Sequence, residues 1–190
     1  MPKVGMEPLR RASLIEATIS EIGTRGSLDV TVSQIAKRAG MSSALAHHYF
    51  GGKDQIFNAA MRQILRDFGS EVRARLICAK SPRARIEAIV EASFAASCFA
   101  PSTISAWMAL YASAQVNRET EKLLRLYQRR LHSNLVHDLR CVSETPEKHA
   151  STIAALIDGF YLRAALAGLA PEAARIAVLD AVDTMLGSAP

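Results

Sequence analysis

The chain has 190 residues, 49% hydrophobic and 22% charged, a balance that suits a soluble globular protein with a real core. No apolar run approaches the roughly 18 residues that cross a bilayer, and the opening MPKVGMEPLRRASLIEA lacks the apolar segment of an export signal, so a cytoplasmic protein is expected. The net charge of +5 is unevenly placed. Residues 1–75 hold 11 Lys and Arg against 7 Asp and Glu, while the rest hold 12 against 11, so a polyanionic partner is expected for the N-terminal part.

Helical periodicity predicts an all-α chain of nine helices with short connections. The first spans 7–24, with Ala12, Ile15, Ile19 and Ile22 on one face and Gly23 and Gly26 at its end. Thr31-Val32-Ser33-Gln34 reads as a capping box: the Thr31 hydroxyl accepts from an orphan amide while Gln34 reaches back. It opens a short helix through Ile35, Ala36 and Ala39 that Gly40 ends. Ser42 caps a second short helix over 43–49, Gly51-Gly52 breaks the chain, and a long amphipathic helix spans 53–78. Ser81-Pro82, a cap followed by proline at the first helical position, predicts a helix to residue 99. Pro101 and Ser102 precede a helix with Trp107 and Tyr111, and Asn117 separates it from one over 118–142. Thr145-Pro146 repeats the cap-then-proline signal and opens 146–167; Gly168 closes that helix and Pro171 opens the last, to 186. Cys78, Cys98 and Cys141 are odd in number and far apart, so free thiols are expected.

The informative stretch is Thr31 to Lys53, TVSQIAKRAGMSSALAHHYFGGK. Two helices this short do not hold together alone in water and need a tight turn and mutual packing. Ala36 permits close approach, Gly40 the sharp turn, and Ile35, Leu45 and Ala46 fill the space between. A generic helical hairpin and a DNA-reading helix-turn-helix both fit that pattern. Lys53 tips the reading towards DNA: a cation in a helix's first turn costs about 0.3–1 kcal/mol, and a phosphate docked there reverses the sign. Tyr49 offers a hydroxyl to a second phosphate. Ser42, Ser43, Ala44, His47 and His48 are short or polar, so the second helix could approach base edges. His47 and His48 lack a third ligand at metal-site spacing. His132, His137 and His149 are scattered, and an enzyme using His132 or His137 as a base would lack a nucleophile, carboxylate dyad or metal set. No catalytic residue, metal site or cofactor is therefore expected.

Aromatic residues are only 6% of the chain, which draws attention to their grouping. Trp107 and Tyr111 lie four apart on one helix face. Tyr127, Phe160 and Tyr161 follow on later helices, and Asp158 shares a face with Tyr161. Two readings stand: an ordinary core, or a cage in which aromatic faces and a carboxylate hold an organic cation. Asp158 could also pair with Arg163 across a dimer interface. Ala154, Ala155, Ala164, Ala165, Ala177 and Ala181 let the last two helices pack closely, as an isologous four-helix interface requires.

Residues 31–53 resemble the DNA-binding signature of the TetR family of repressors, and the nine-helix pattern matches that family's length. The resemblance implies two domains: a helix-turn-helix DNA-binding domain over 1–52 and a ligand-binding and dimerisation domain over 53–190. It places phosphate contacts on Thr31, His47, Tyr49 and Lys53, with His47 standing where the family often has Tyr. WMALYASAQVNRETEKLLRLYQRRLHSNL and ALIDGFYLRAAL are similar to the BetI-type subfamily, choline-sensing repressors of glycine betaine synthesis genes. That similarity implies a homodimer on a pseudo-palindromic double-stranded operator at the nucleoid, no cofactor, and choline as the releasing effector. Its ligand set would be Trp107, Tyr111, Tyr127, Asp158 and Tyr161. The alternatives are a TetR-type regulator of an efflux gene that senses a bulkier cation, and an architectural DNA-binding protein without a ligand.

Overall fold

The computed structural model describes residues 6–26 and 29–187; the first five residues of the opening stretch, where an export signal would begin, lie outside them. The described residues form nine α-helices and one 3₁₀ turn: α1 Met6–Arg25, α2 Val32–Arg38, α3 Ser43–Phe50, α4 Lys53–Cys78, α5 Pro82–Ser93, η1 Ala96–Phe99, α6 Pro101–Ala114, α7 Arg118–Leu139, α8 Pro146–Leu166 and α9 Pro171–Leu186. None of these helices is long and apolar enough to cross a membrane.

The chain divides into two compact units, one of Met1–Leu65 and Ala100–Leu124, the other of Arg66–Phe99 and Arg125–Pro190. In the first, α1 packs against α2 and α6, and α2 against α3. The buried face of α1 carries Leu14, Ala17, Thr18 and Ile22, whereas Ala12 is exposed and Ile15 and Ile19 are half-buried. The expected stripe is thus rotated. Two packing partners widen the buried arc, and Thr18 tolerates burial because its hydroxyl donates to the Leu14 carbonyl at 2.7 Å. At Gly23 the backbones of α1 and α6 meet: a Cβ there would lie 2.5 Å from Ser102 Cβ.

In the second unit α8 packs against α9, and α5 against both. Ile86, Ile89, Leu135, Leu139, Ile153, Ile157, Val178 and Val182 make its core. Arg85 Nε donates to Asp138 Oδ1 at 2.7 Å, a pairing that lets the Asp138 carboxylate be buried.

Three helix ends depart from expectation. The helix opened by Pro82 stops at Ser93, and a 3₁₀ turn follows. The break turns Phe94 and Cys98 inward, with Cys98 Sγ donating to the Ala92 carbonyl at 3.4 Å. Ala100 is extended (φ −60, ψ 137), as a residue before proline must be. α7 ends at Leu139, because Cys141 and Val142 donate to Asp138 and Leu139 in tighter turns. Thr145 precedes Pro146 as expected but does not cap α8 with its side chain; its hydroxyl lies 3.4 Å from His149 Nε2 instead.

Candidate functional site

The α2–turn–α3 segment is assembled almost wholly by local bonds. Thr31 Oγ1 accepts from the Gln34 amide at 3.2 Å and Gln34 Oε1 accepts from the Thr31 amide at 2.8 Å, which completes the capping box. At the other end of α2 the Gly40 amide donates to the Lys37 carbonyl (3.1 Å) and the Met41 amide to the Ala36 carbonyl (2.8 Å). This is the paired closure of a Schellman turn, and Gly40 adopts the φ of +67 it requires. Ser42 then caps α3 by accepting from the Leu45 amide at 3.2 Å. Ile35, Ala36 and Ala46 are buried together with Val30 and Val32, and Ser43 Oγ donates to Ser33 Oγ at 2.9 Å across the two helices.

This packing leaves Ser42, Ala44, His47 and His48 exposed, while Ser43 and Tyr49 are half-buried. Thr31 and Lys53, at the starts of α2 and α4, are also exposed. Gly51 ends α3 with φ +82. Its carbonyl lies 2.7 Å from His47 Nδ1. A carbonyl only accepts, so Nδ1 is the donor in this contact. His47 therefore differs in donor pattern from a tyrosine at that position.

Two residues that sequence reasoning passed over reach α3 from α1. Arg11 Nη1 donates to the main-chain carbonyl of Tyr49 and its guanidinium sits 4.6 Å above the Phe50 ring. Arg10 Nη1 donates to the Tyr49 hydroxyl at 3.4 Å. Their only signal in the sequence is the adjacent pair of arginines in the first turns of α1.

The start of α4 is held by polar contacts within the same unit. Asn117 Nδ2 donates to Asp54 Oδ2 at 3.0 Å, and the buried Thr120 hydroxyl donates to Asn58 Oδ1 at 3.0 Å. Asn117, expected only as an interruption, also caps α7: its Oδ1 accepts from the amides of Glu119 and Thr120.

The residues expected around a ligand fall into groups. Trp107, buried, and Tyr111, half-buried, lie on α6 with ring centroids 6.1 Å apart. In the other unit the Tyr127 hydroxyl donates to Asp158 Oδ1 at 3.1 Å, and the Phe68 ring meets Tyr127 edge-on at 6.1 Å. Tyr161 donates to the Cys98 carbonyl at 3.0 Å and its ring lies 5.1 Å from Phe99, which stacks on Phe94. Phe94 and Phe99 were not singled out from sequence, since both looked like parts of one continuous helix. Arg163 is exposed, and Asp158 takes a hydrogen bond from α7.

Comparison with known proteins agrees with this architecture. Residues 14–60 match the family described as "Bacterial regulatory proteins, tetR family", and residues 82–187 match "BetI-type transcriptional repressor, C-terminal". The chain is 54% identical over 178 residues to an HTH-type transcriptional regulator BetI of Brucella anthropi, covering 92% of this chain and 91% of that protein. Among solved structures it is similar to a putative transcriptional regulator of Pseudomonas aeruginosa PAO1 (TM-score 0.84, 26% identity, 96% and 92% of the two chains). It also shares the fold of a putative transcriptional regulator of Saccharomonospora viridis in complex with choline (TM-score 0.82, 21% identity, 91% and 95%). A helix-turn-helix set by its own caps, followed by a C-terminal segment matched from 82 to 187, places the chain in the tetR family of bacterial regulators as a DNA-binding transcriptional repressor of the BetI type.

Proposed function

We propose that this repressor is a homodimer released from a pseudo-palindromic operator by choline, and that it controls glycine betaine synthesis or choline transport genes in the cytoplasm, at the nucleoid. The observation that carries the reading is the match of residues 82–187 to the BetI-type C-terminal segment. DNA binding is assigned to 1–52 and ligand binding with dimerisation to 53–190. Ser42, Ser43, Ala44 and His48 on α3 would meet base edges, and Thr31, His47, Tyr49 and Lys53 would anchor phosphates. Lys53 stands in the first turn of α4, where helix amides and an ammonium can share one phosphate oxygen.

Choline's quaternary nitrogen has no N–H, so it must be held by aromatic faces and a carboxylate without a hydrogen bond between them. Tyr127, Asp158 and Tyr161, within one unit, supply both kinds of group, and Trp107 and Tyr111 are an aromatic pair within the other. The Tyr127 hydroxyl donates to Asp158 and so restrains the carboxylate. α8 and α9 carry the dimer contact in this reading, supported by the small residues Ala164 and Ala165 and by the exposed apolar Leu166 and Ile176. α4 transmits the ligand's effect by changing the spacing of two recognition helices that must sit about 34–36 Å apart to meet successive major grooves.

The test is a titration of the protein with the duplex it selects from a random pool, with and without choline, beside a larger aromatic cation. Choline is expected to weaken DNA binding, and by linkage DNA must weaken choline binding by the same factor; a tenfold effect corresponds to about 1.4 kcal/mol. Choline affinity that is identical with and without saturating duplex would refute the sensor mechanism. A response to the bulkier cation alone would assign the protein to efflux control. Lys53→Ala should weaken binding to every sequence equally and make the log–log salt dependence shallower by about one per subunit.

A further inference from the structure

An eight-residue helix leaves its last carbonyls without partners inside the helix. At the end of α3 the Gly51 amide takes the His47 carbonyl, and Arg11 takes that of Tyr49. A guanidinium there sits at the negative end of the helix. Its flat face lies over Phe50, and Glu7 Oε1, 3.6 Å away, helps to aim it. Arg11 thus grips α3 by its main chain and by one ring, and it does so from a helix 38 residues earlier in the chain.

Arg10 contacts a different atom. It donates to the Tyr49 hydroxyl oxygen, so that hydroxyl's own proton remains to be given to another acceptor. A phenol proton and a guanidinium side by side make a pair of donors matched to the oxygens of one phosphate.

We infer that the two adjacent arginines play separate parts at the DNA: Arg11 is a positioning residue that sets the angle of α3 in the groove, and Arg10 joins Tyr49 in a clamp on a backbone phosphate. The inference rests on the proposed reading of α3 as the helix that enters the major groove, and it adds two residues from α1 to that interface.

The experiment uses the intact protein, the duplex it selects from a random pool, and an unrelated duplex of equal length, across a salt series. Arg11→Gln is expected to lower affinity for the selected duplex by about tenfold, the effect of losing one charge-assisted hydrogen bond. Affinity for the unrelated duplex and the salt slope should stay unchanged. Arg10→Gln is expected to weaken both duplexes alike, with a slope shallower by about one per subunit. Arg11→Lys retains the charge but not the flat face, and should recover only part of the preference. Loss of folded protein would lower both duplexes together and leave their ratio intact, so a parallel loss in both Arg11 variants overturns the positioning role. An unchanged slope in Arg10→Gln overturns the clamp. His48→Ala, on the exposed face of α3, separates this proposal from its premise. If it abolishes preference while Arg11→Gln retains it, the brace alone is wrong; if neither variant alters preference, the reading of α3 falls and the brace with it.

Discussion

Gly23→Ala tests the close approach of α1 and α6. An added Cβ would lie 2.5 Å from Ser102 Cβ, 2.6 Å from Ser102 Cα and 3.1 Å from Ser102 N. Carbon atoms prefer about 3.5–4.0 Å, and two of these neighbours are main-chain atoms that no rotamer change can move. The start of α6 would have to recede by about 1 Å, an overpacking that typically costs about 1–3 kcal/mol. Against it stands the gain of about 1 kcal/mol from replacing a helical glycine with alanine. Gly69→Ala makes the same change within α4, where the nearest atom to the new Cβ is Arg73 Nη1 at an ordinary 3.8 Å. The helix-propensity gain cancels between the two variants, so their difference in stability is the overpacking cost itself, about 1–3 kcal/mol with Gly23→Ala the weaker. Urea titrations followed by far-UV circular dichroism, at one protein concentration, read this as a shift in midpoint at constant slope. Equal stability of the two variants would refute the contact.

Other consequences are equally direct. Burial pushes the Cys98 thiol up to about 11, whereas Cys78 and Cys141 are exposed, so an alkylating reagent at mildly alkaline pH should modify those two and reach Cys98 only after denaturation. The hydrogen bond from Arg38, with Arg25 nearby, holds the Glu21 carboxyl below its ordinary 4.5. A depressed folded-state value means that the pair's contribution is fully present above that ordinary value and is lost as pH falls through the lowered one. The stability gap between the natural protein and Glu21→Gln should therefore be constant near neutrality and close in acid; a gap that widens on acidification contradicts the pairing. Replacing Ala164 and Ala165 with Glu would set four like charges in the proposed dimer contact. Sedimentation should then report monomers with helicity retained, and a persistent dimer would move the interface elsewhere.

The local devices around the reading head were legible because each closes within a few residues. The Thr31–Gln34 capping box, the Ser42 cap and the turns at Gly40 and Gly51 depend on hydrogen bonds between near neighbours and on positive φ at glycine. Residue types at fixed offsets suffice to state them. The family resemblance seen in residues 31–53 and in the C-terminal runs is borne out by the matched segments 14–60 and 82–187.

What the tertiary structure alone decided are pairings across long stretches of chain. Periodicity showed that α1 has an apolar face, but not that packing against both α2 and α6 would bury Leu14, Ala17 and Thr18 in place of Ala12 and Ile15. It could not show that Ala100–Leu124 groups with Met1–Leu65, nor that the helix after Pro82 breaks early to bury Phe94 and Cys98. Arg10 and Arg11 meet Tyr49 from 39 and 38 residues away, and Tyr127 meets Asp158 across 31. Such contacts follow from how helix faces dock, which depends on the summed shape and burial of many side chains, and no single local pattern encodes them.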